Sequence, residues 1–180
     1  STADGEEAPD LNQDTKGTTI TFWHSMGGVN GEAMDYLVNK FNEENTDGIT
    51  VEAVYQGEYD DTINKLKSAQ IGNMGADLVQ IYDIGTRFMI DSGWVIPMQE
   101  LINADGYDIS QIEPNIAAYY TVNNELYSMP FNSSTPILYY NKDMFEKAGI
   151  TEVPTSLEGI LAIGDDLKTK GGAGEPLALS

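Results

Sequence analysis

The sequence contains no cysteine and only one histidine. The first absence excludes disulfides, thiolate nucleophiles and thiolate metal sites, and it suits a compartment in which thiols are oxidised. The second leaves no His/Cys cluster for a transition metal. Basic residues are scarce too, nine against 29 acidic ones, for a formal net charge of -20. Such a surface repels nucleic acid and anionic lipid, so nucleic acid is not expected as a partner. No apolar run approaches the roughly 18 residues of a membrane span. Also missing are a P-loop lysine motif and a Gly-x-Ser-x-Gly elbow, and Asp105-Gly106-Tyr107-Asp108 lacks the ligand spacing of a calcium loop. No metal or cofactor is expected.

What is present is a chain of 180 residues, 41% of them apolar, enough for one medium domain or for one lobe and the start of another. Residues 1–17 are acidic and polar and bury too little to offset their ordering entropy, so they read as a disordered stalk. No charged, apolar and cleavage-site sequence precedes them. A stalk of this kind fits a mature exported lipoprotein with a lipid anchor ahead of Ser1, and it fits an ordinary flexible terminus equally well.

Beyond the stalk, strand and helix patterns alternate. Residues 18–23 are β-branched and aromatic, and residues 31–45 set Met34, Leu37, Val38 and Phe41 on one helical face. Ile49, Val51, Ala53 and Tyr55 alternate as in a strand, and residues 59–71 return to a helical stripe through Ile63 and Leu66. Residues 77–82 supply a third, mostly apolar strand, and residues 86–91 a short helix that Gly93 can end. Three strands separated by helices predict a parallel sheet with right-handed crossovers. Further on, an apolar stretch over 94–102 is broken by Pro97, and residues 119–127 predict a hairpin turning at Asn123 and Asn124. Residues 128–141 read as extended and lead to a helix through Met144 and Phe145 that ends at Gly149. Thr155 and Glu158 have capping-box spacing at the head of a last helix carrying Leu157, Ile160, Leu161 and Leu167, closed by Gly171 and Gly172. So little follows that the chain reads as a fragment.

Several segments fall where open α/β sheets bind ligands, beyond the carboxyl ends of the strands. Trp23-His24-Ser25-Met26-Gly27-Gly28 leaves the first strand, either as a ligand loop or as a plain glycine-containing connection over a packed Trp. His24 suits a hydrogen-bonding or packing role better than catalysis, because a base needs a positioned partner. Asp83 ends the third strand and either accepts bonds from ligand hydroxyls or caps the helix that follows. Tyr59 heads the second helix, where its ring can stack on a carbon skeleton, and Asp60 and Asp61 are first-turn acids that complement the helix dipole. Phe131-Asn132-Ser133-Ser134-Thr135-Pro136 interrupts an apolar region with four polar side chains, as a cleft lining or as a turn.

Together, Ile20-Thr21-Phe22-Trp23-His24-Ser25-Met26, Gly57 to Tyr59, Gln80 to Thr86, and above all Pro130-Phe131-Asn132-Ser133-Ser134-Thr135-Pro136-Ile137-Leu138-Tyr139-Tyr140-Asn141-Lys142-Asp143 resemble one family. It is that of the glycerol-3-phosphate-binding proteins of ABC importers, within the sugar-type extracellular solute-binding proteins. The resemblance runs from Thr18 to the end and covers the first part of a family member. It implies a type II periplasmic-binding-protein-like α/β fold in which two lobes close on a ligand. The N-terminal lobe would span 18–129, and 130–180 would hold the crossover and the beginning of the C-terminal lobe. It also implies an extracytoplasmic, non-enzymatic protein that delivers its ligand to permease subunits. Ligand contacts carry over to Tyr59, Asp83 and Ser134, with Trp23, His24 and Ser133 as further candidates. Asp83 stands where the family pattern has glutamate, one methylene longer, and the family's phosphate-binding arginine belongs to later segments. A binder of neutral sugars in the same fold and a hydrolase using Asp83 with His24 are the alternatives.

Overall fold

β1 (Thr19–His24) is the middle strand of a three-stranded parallel sheet in the order β2-β1-β3, with β2 at Thr50–Tyr55 and β3 at Leu78–Val79. Helix α1 (Gly28–Glu44) crosses from β1 to β2, and α2 (Tyr59–Ile71) from β2 to β3, so the expected parallel sheet with helical crossovers is what forms. The computed structural model describes residues 15–72 and 74–177. They group into two compact units, one running to Ser133 and the other starting at Ser134, whereas the sequence reading sets the change at residue 130. The expected stalk lies outside the described residues as far as residue 14, and so does any lipid anchor ahead of it. From Thr15 onward the chain is tied to the turn before β2: Thr15 Oγ1 donates to Asp47 O at 2.7 Å, and Gly17 N–H to Gly48 O at 2.9 Å.

The first unit packs around Phe22, Met26 and Met34, with Val38, Val51 and Tyr59 against them. The amphipathic stripe of α1 is narrower than its apolar residues suggest. Met34 is buried and Val38 packs on the core, but Leu37 and Phe41 remain exposed. Toward its C-terminal end α1 is fastened to the sheet by an amide instead. Asn42 Nδ2 donates to Val51 O at 2.9 Å, and Val51 N–H donates to Asn42 Oδ1 at 2.8 Å, so one side chain completes both backbone groups of an edge-strand residue.

β3 is much shorter than the apolar run over 77–82, for a physical reason. Its two residues pair with Phe22 and Trp23. On either side of them β1 donates to side chains of the third-strand segment: Thr21 N–H to Asp77 Oδ2 at 2.9 Å and Ser25 N–H to Gln80 Oε1 at 3.0 Å. Backbone contact persists outside the two paired residues, since Asp77 N–H donates to Thr21 O and Gln80 N–H to Trp23 O.

After β3 a 3-10 turn at Asp83–Gly85 runs into α3 (Thr86–Ser92), which Gly93 ends in the left-handed conformation as expected. Pro97 does not merely break the apolar stretch; it precedes α4 (Met98–Asp105), and Pro114 opens α5 (Pro114–Tyr119) from a favoured first-turn position. β4 (Thr121–Val122) and β5 (Glu125–Leu126) form the expected hairpin, with Asn123 and Asn124 at φ 53° and 67°. These values fit a type I′ turn, which Asn tolerates. Leu126 anchors the hairpin, at 2% exposure.

In the second unit, residues 134–141 have no helix or strand, and α6 (Lys142–Ala148) ends at Gly149 with φ 74°. The single last helix expected from Thr155 is two helices, α7 (Leu157–Ala162) and α8 (Gly164–Thr169). Its cap is Ser156, whose Oγ accepts from Gly159 N–H at 3.1 Å, so Glu158 sits one place short of capping-box register. The break falls at Ile163 beside Gly164, a weak helix former. No helix among the described residues is long and apolar enough to cross a membrane.

Replacing Asn42→Ala strips both partners from Val51, and the expected cost is about 1–3 kcal/mol. Urea denaturation followed by tryptophan fluorescence measures it, and an unmoved midpoint would show that α1 is held by its apolar contacts alone.

Candidate functional site

Because β1, β2 and β3 are parallel, their carboxyl ends open on one edge, and residues 25–27, 56–58 and 80–82 leave the sheet side by side. A chain of polar side chains stitches these exits together. Gln80 accepts from Ser25 N–H through Oε1, and its Nε2 donates to Asn132 Oδ1 at 3.0 Å. Asn132 Nδ2 in turn reaches Met26 Sδ at 3.7 Å. Ser25 Oγ and Thr62 Oγ1 are 2.6 Å apart, and Thr62 Oγ1 donates to Glu58 O at 3.4 Å, which makes the Ser25 hydroxyl the donor between them. Ser25, Thr62 and Gln80 are all buried, and among the described residues no buried side-chain nitrogen or oxygen lacks a partner. A satisfied network of this kind rigidifies the loops it joins.

The head of α2 is set just as firmly. Glu58 N–H donates to Asp61 Oδ2 at 3.0 Å, fixing the first turn. Gly57 takes φ 99°, and a Cβ there would lie 2.6 Å from Asp61 Oδ2, so only glycine lets the carboxylate fold back. Tyr59, the first residue of α2, is thereby held with its ring stacked on Tyr82, centroids 5.4 Å apart and planes 6° from parallel.

Above this frame lies a rim of phenols and carboxylates. Tyr82 OH donates to Asp60 Oδ1 at 2.6 Å, and Tyr119 OH donates to Asp83 Oδ2 at 2.7 Å. Each bond to a carboxylate holds its phenol's pKa above the ordinary value, with partial desolvation and the nearby negative charges acting in the same direction. Asp83 is exposed, and its Oδ1 accepts from Ile84 N–H at 2.9 Å. Asp60 and Asp61 sit in the first turn of α2, as expected of acids at a helix N-terminus.

Tyr59 and Asp83 therefore lie on one edge of the first unit, linked through Tyr82, the neighbour of one and the stacking partner of the other. Ser133 is the last residue of that unit and exposed; Ser134 opens the second unit and is also exposed. Trp23 is half-buried within β1, between Val54 of β2 and Val79 of β3. His24 is buried at 3% exposure between the rings of Phe22 and Tyr55, and its Nδ1 accepts from Met26 N–H at 3.2 Å. Desolvation lowers the pKa of His24, opposed by the charge of Asp35. The bonds made by His24 and Asp83 thus go to other partners and not to each other.

Gln80, Thr62, Tyr82, Tyr119 and the role of Asn132 are not singled out by the sequence reading. Two of them leave a signal. Thr62 falls on the same α2 stripe as Tyr59, Ile63 and Leu66, and Gln80 is a polar residue closing an apolar strand segment. Nothing local marks Tyr119, which meets Asp83 across 36 residues.

A parallel α/β unit carries a buried polar frame and a rim of tyrosines and carboxylates at its carboxyl edge, the edge at which open α/β sheets bind ligands. The chain belongs to the bacterial extracellular solute-binding protein family, whose profile matches residues 27–179. It is 43% identical over 138 residues to the sn-glycerol-3-phosphate-binding periplasmic protein UgpB of Salmonella typhimurium, covering 74% of this chain and 31% of that relative. The UgpB of Escherichia coli K12 is 41% identical over the same length, again with 74% and 31% covered. The chain thus spans about a third of the length of these relatives. Among solved structures, UgpB of Mycobacterium tuberculosis in complex with glycerophosphocholine superposes with a TM-score of 0.72 at 28% identity, covering 83% of this chain and 39% of that one. The sugar-binding protein MalE of Xanthomonas citri shares the fold, with a TM-score of 0.72 at 23% identity over 85% and 38% of the two chains.

The lowered pKa of His24 sets the sign of a pH effect. Between the folded value and the ordinary value of about 6.5 the unfolded chain binds more protons than the folded one, so stability rises with pH through that window. Acidification below about pH 6.5 is expected to destabilise the protein. His24→Asn is expected to flatten that slope, as read from urea midpoints between about pH 7.5 and pH 5.5. Equal slopes in both proteins would remove His24 as the cause.

Proposed function

We propose that this chain forms the N-terminal lobe, over 18–129, and from 130 onward the crossover and first part of the C-terminal lobe, of a substrate-binding component of an ABC importer. It works outside the cytoplasm, captures glycerol-3-phosphate or a glycerophosphodiester by hydrogen bonding, and passes it to permease subunits without chemical change. The observation that carries this reading is the placement of Tyr59 and Asp83 on one rigid edge, in a chain 43% identical to relatives named for binding sn-glycerol-3-phosphate.

In this reading Asp83 accepts glycerol hydroxyls, Tyr59 offers its phenol, and Ser134 is a further hydroxyl-bearing candidate. Ser133, Trp23 and His24 are lesser candidates: the first is exposed beside Ser134, whereas the other two are engaged within the lobe. The acidic surface does not forbid an anionic ligand, because distant charges are screened by salt while donors in the site act at contact. A neutral-sugar ligand is the second reading, favoured by the shorter carboxylate at position 83 and by the fold shared with a sugar-binding protein.

Titration calorimetry of the full-length protein with sn-glycerol-3-phosphate, glycerophosphocholine and maltose separates the two. Saturable binding of the glycerophosphates is expected. Tyr59→Ala and Asp83→Ala should each weaken it by about tenfold to a hundredfold. Saturation by maltose alone would overturn the glycerophosphate reading.

A further inference from the structure

Gln80 connects, directly or through its neighbours, the parts of the frame under the proposed ligand edge. It is 8% exposed, and both ends of its amide are used: Oε1 accepts from the amide that follows β1, and Nε2 donates to Asn132. Its backbone N–H is also bound, to Trp23 O at 2.8 Å. Through Ser25 it reaches Thr62 and the carbonyl of Glu58, which precedes Tyr59; along its own chain it lies three residues before Asp83. Through Asn132 it holds the point at which the chain leaves the first unit, directly before Ser133 and Ser134.

The chemistry demanded of this side chain is specific. Ser25 N–H is a donor and requires an acceptor. Asn132 directs Nδ2 at Met26 Sδ, which leaves its Oδ1 facing Gln80 and in need of a donor. A group that offers one acceptor and one donor in a plane satisfies both; an amide does, a carboxylate and an alkyl chain do not.

We infer that Gln80 is the positioning residue of the ligand site: its amide sets the exits of β1 and β3 and the Asn132 segment in one register, and ligand affinity depends on that register. This rests on the ligand-binding reading of the edge given above. Gln80 need not touch the ligand.

Gln80→Glu in the full-length protein provides a test with an internal rescue. A protonated carboxylic acid again offers one acceptor and one donor, whereas the ionised form still accepts from Ser25 N–H but sets an acceptor against Asn132 Oδ1. Burial raises the pKa of such a carboxyl, and the carboxylates of Asp60 and Asp83 on the same edge push the same way. Glycerophosphocholine is the probe, because its phosphodiester does not titrate in the range used. Affinity is compared with the unmodified protein at each pH, which cancels the titration of His24 common to both.

The variant is expected to bind about tenfold or more weakly at about pH 8 and to approach the unmodified protein at about pH 5. A role confined to general stability would lower the unfolding midpoint without restoring affinity on acidification. A variant that binds like the unmodified protein at both pH values, or equally weakly at both, overturns the inference. Should Gln80→Glu fail to fold, Asn132→Ala, an exposed position that removes one end of the bridge, decides: about fivefold weaker binding supports the inference and unchanged affinity overturns it. Failure of the unmodified protein to bind glycerophosphocholine or sn-glycerol-3-phosphate would instead overturn the reading on which the inference stands.

Discussion

The hydrogen bond from Ser25 N–H to Gln80 Oε1 closes the sheet at the edge where the loops after the strands begin. Two paired residues are a weak basis for a third strand, and β3 has no more than that with β1. Side-chain bonds from Asp77 and Gln80 flank the pair and extend the contact at both ends. Exchanging a regular ladder for side-chain acceptors has a structural consequence. The chain leaves the sheet after Gln80, whose backbone and side chain both stay bonded to the β1 segment, and turns through Tyr82 to Asp83.

From that anchor the polar frame spreads sideways. Ser25 hands on to Thr62, and Thr62 to the carbonyl that starts α2, so the loops after all three strands share one set of hydrogen bonds. Burying these groups unpaired would cost about 1–3 kcal/mol each, so the cheapest arrangement is the one that satisfies them together. The rim sits on this base. Its tyrosines, Tyr82 and Tyr119, are hydrogen-bonded to carboxylates, and these bonds help the phenols keep their protons.

Much of this was readable in the residue order, for identifiable reasons. β1 and α2 announce themselves because each has buried positions repeating at the matching period, and β2 because half-buried Val51 and Ala53 alternate with exposed neighbours. The hairpin was legible because Asn123 and Asn124 are among the few non-glycine residues that tolerate positive φ. Tyr59 and Asp83 were located through motif resemblance and strand-end position. Periodicity misled where polar side chains act as structure. Asn42 continues the buried stripe of α1 through hydrogen bonds rather than apolar area, and Gln80 looks like the end of a strand but works as a clamp. In α7 the cap moved by one residue because Ser156, next to Thr155, made the better-placed bond to Gly159 N–H. The pairing of Tyr119 with Asp83 joins segments 36 residues apart, a distance over which no local pattern carries information.

The state of Asp83 bears on what the edge can hold. Each of its oxygens already accepts one protein bond, from Ile84 N–H and from Tyr119 OH. A carboxylate offers about four acceptor positions, so roughly two remain, one on each oxygen. Two acceptors on one planar group suit two neighbouring hydroxyl donors, the pattern of a glycerol end or of a sugar's vicinal diol. Tyr119 and the turn at Ile84 fix the direction of the Asp83 side chain. A fixed, half-occupied carboxylate loses less freedom when hydroxyls arrive than a free one would.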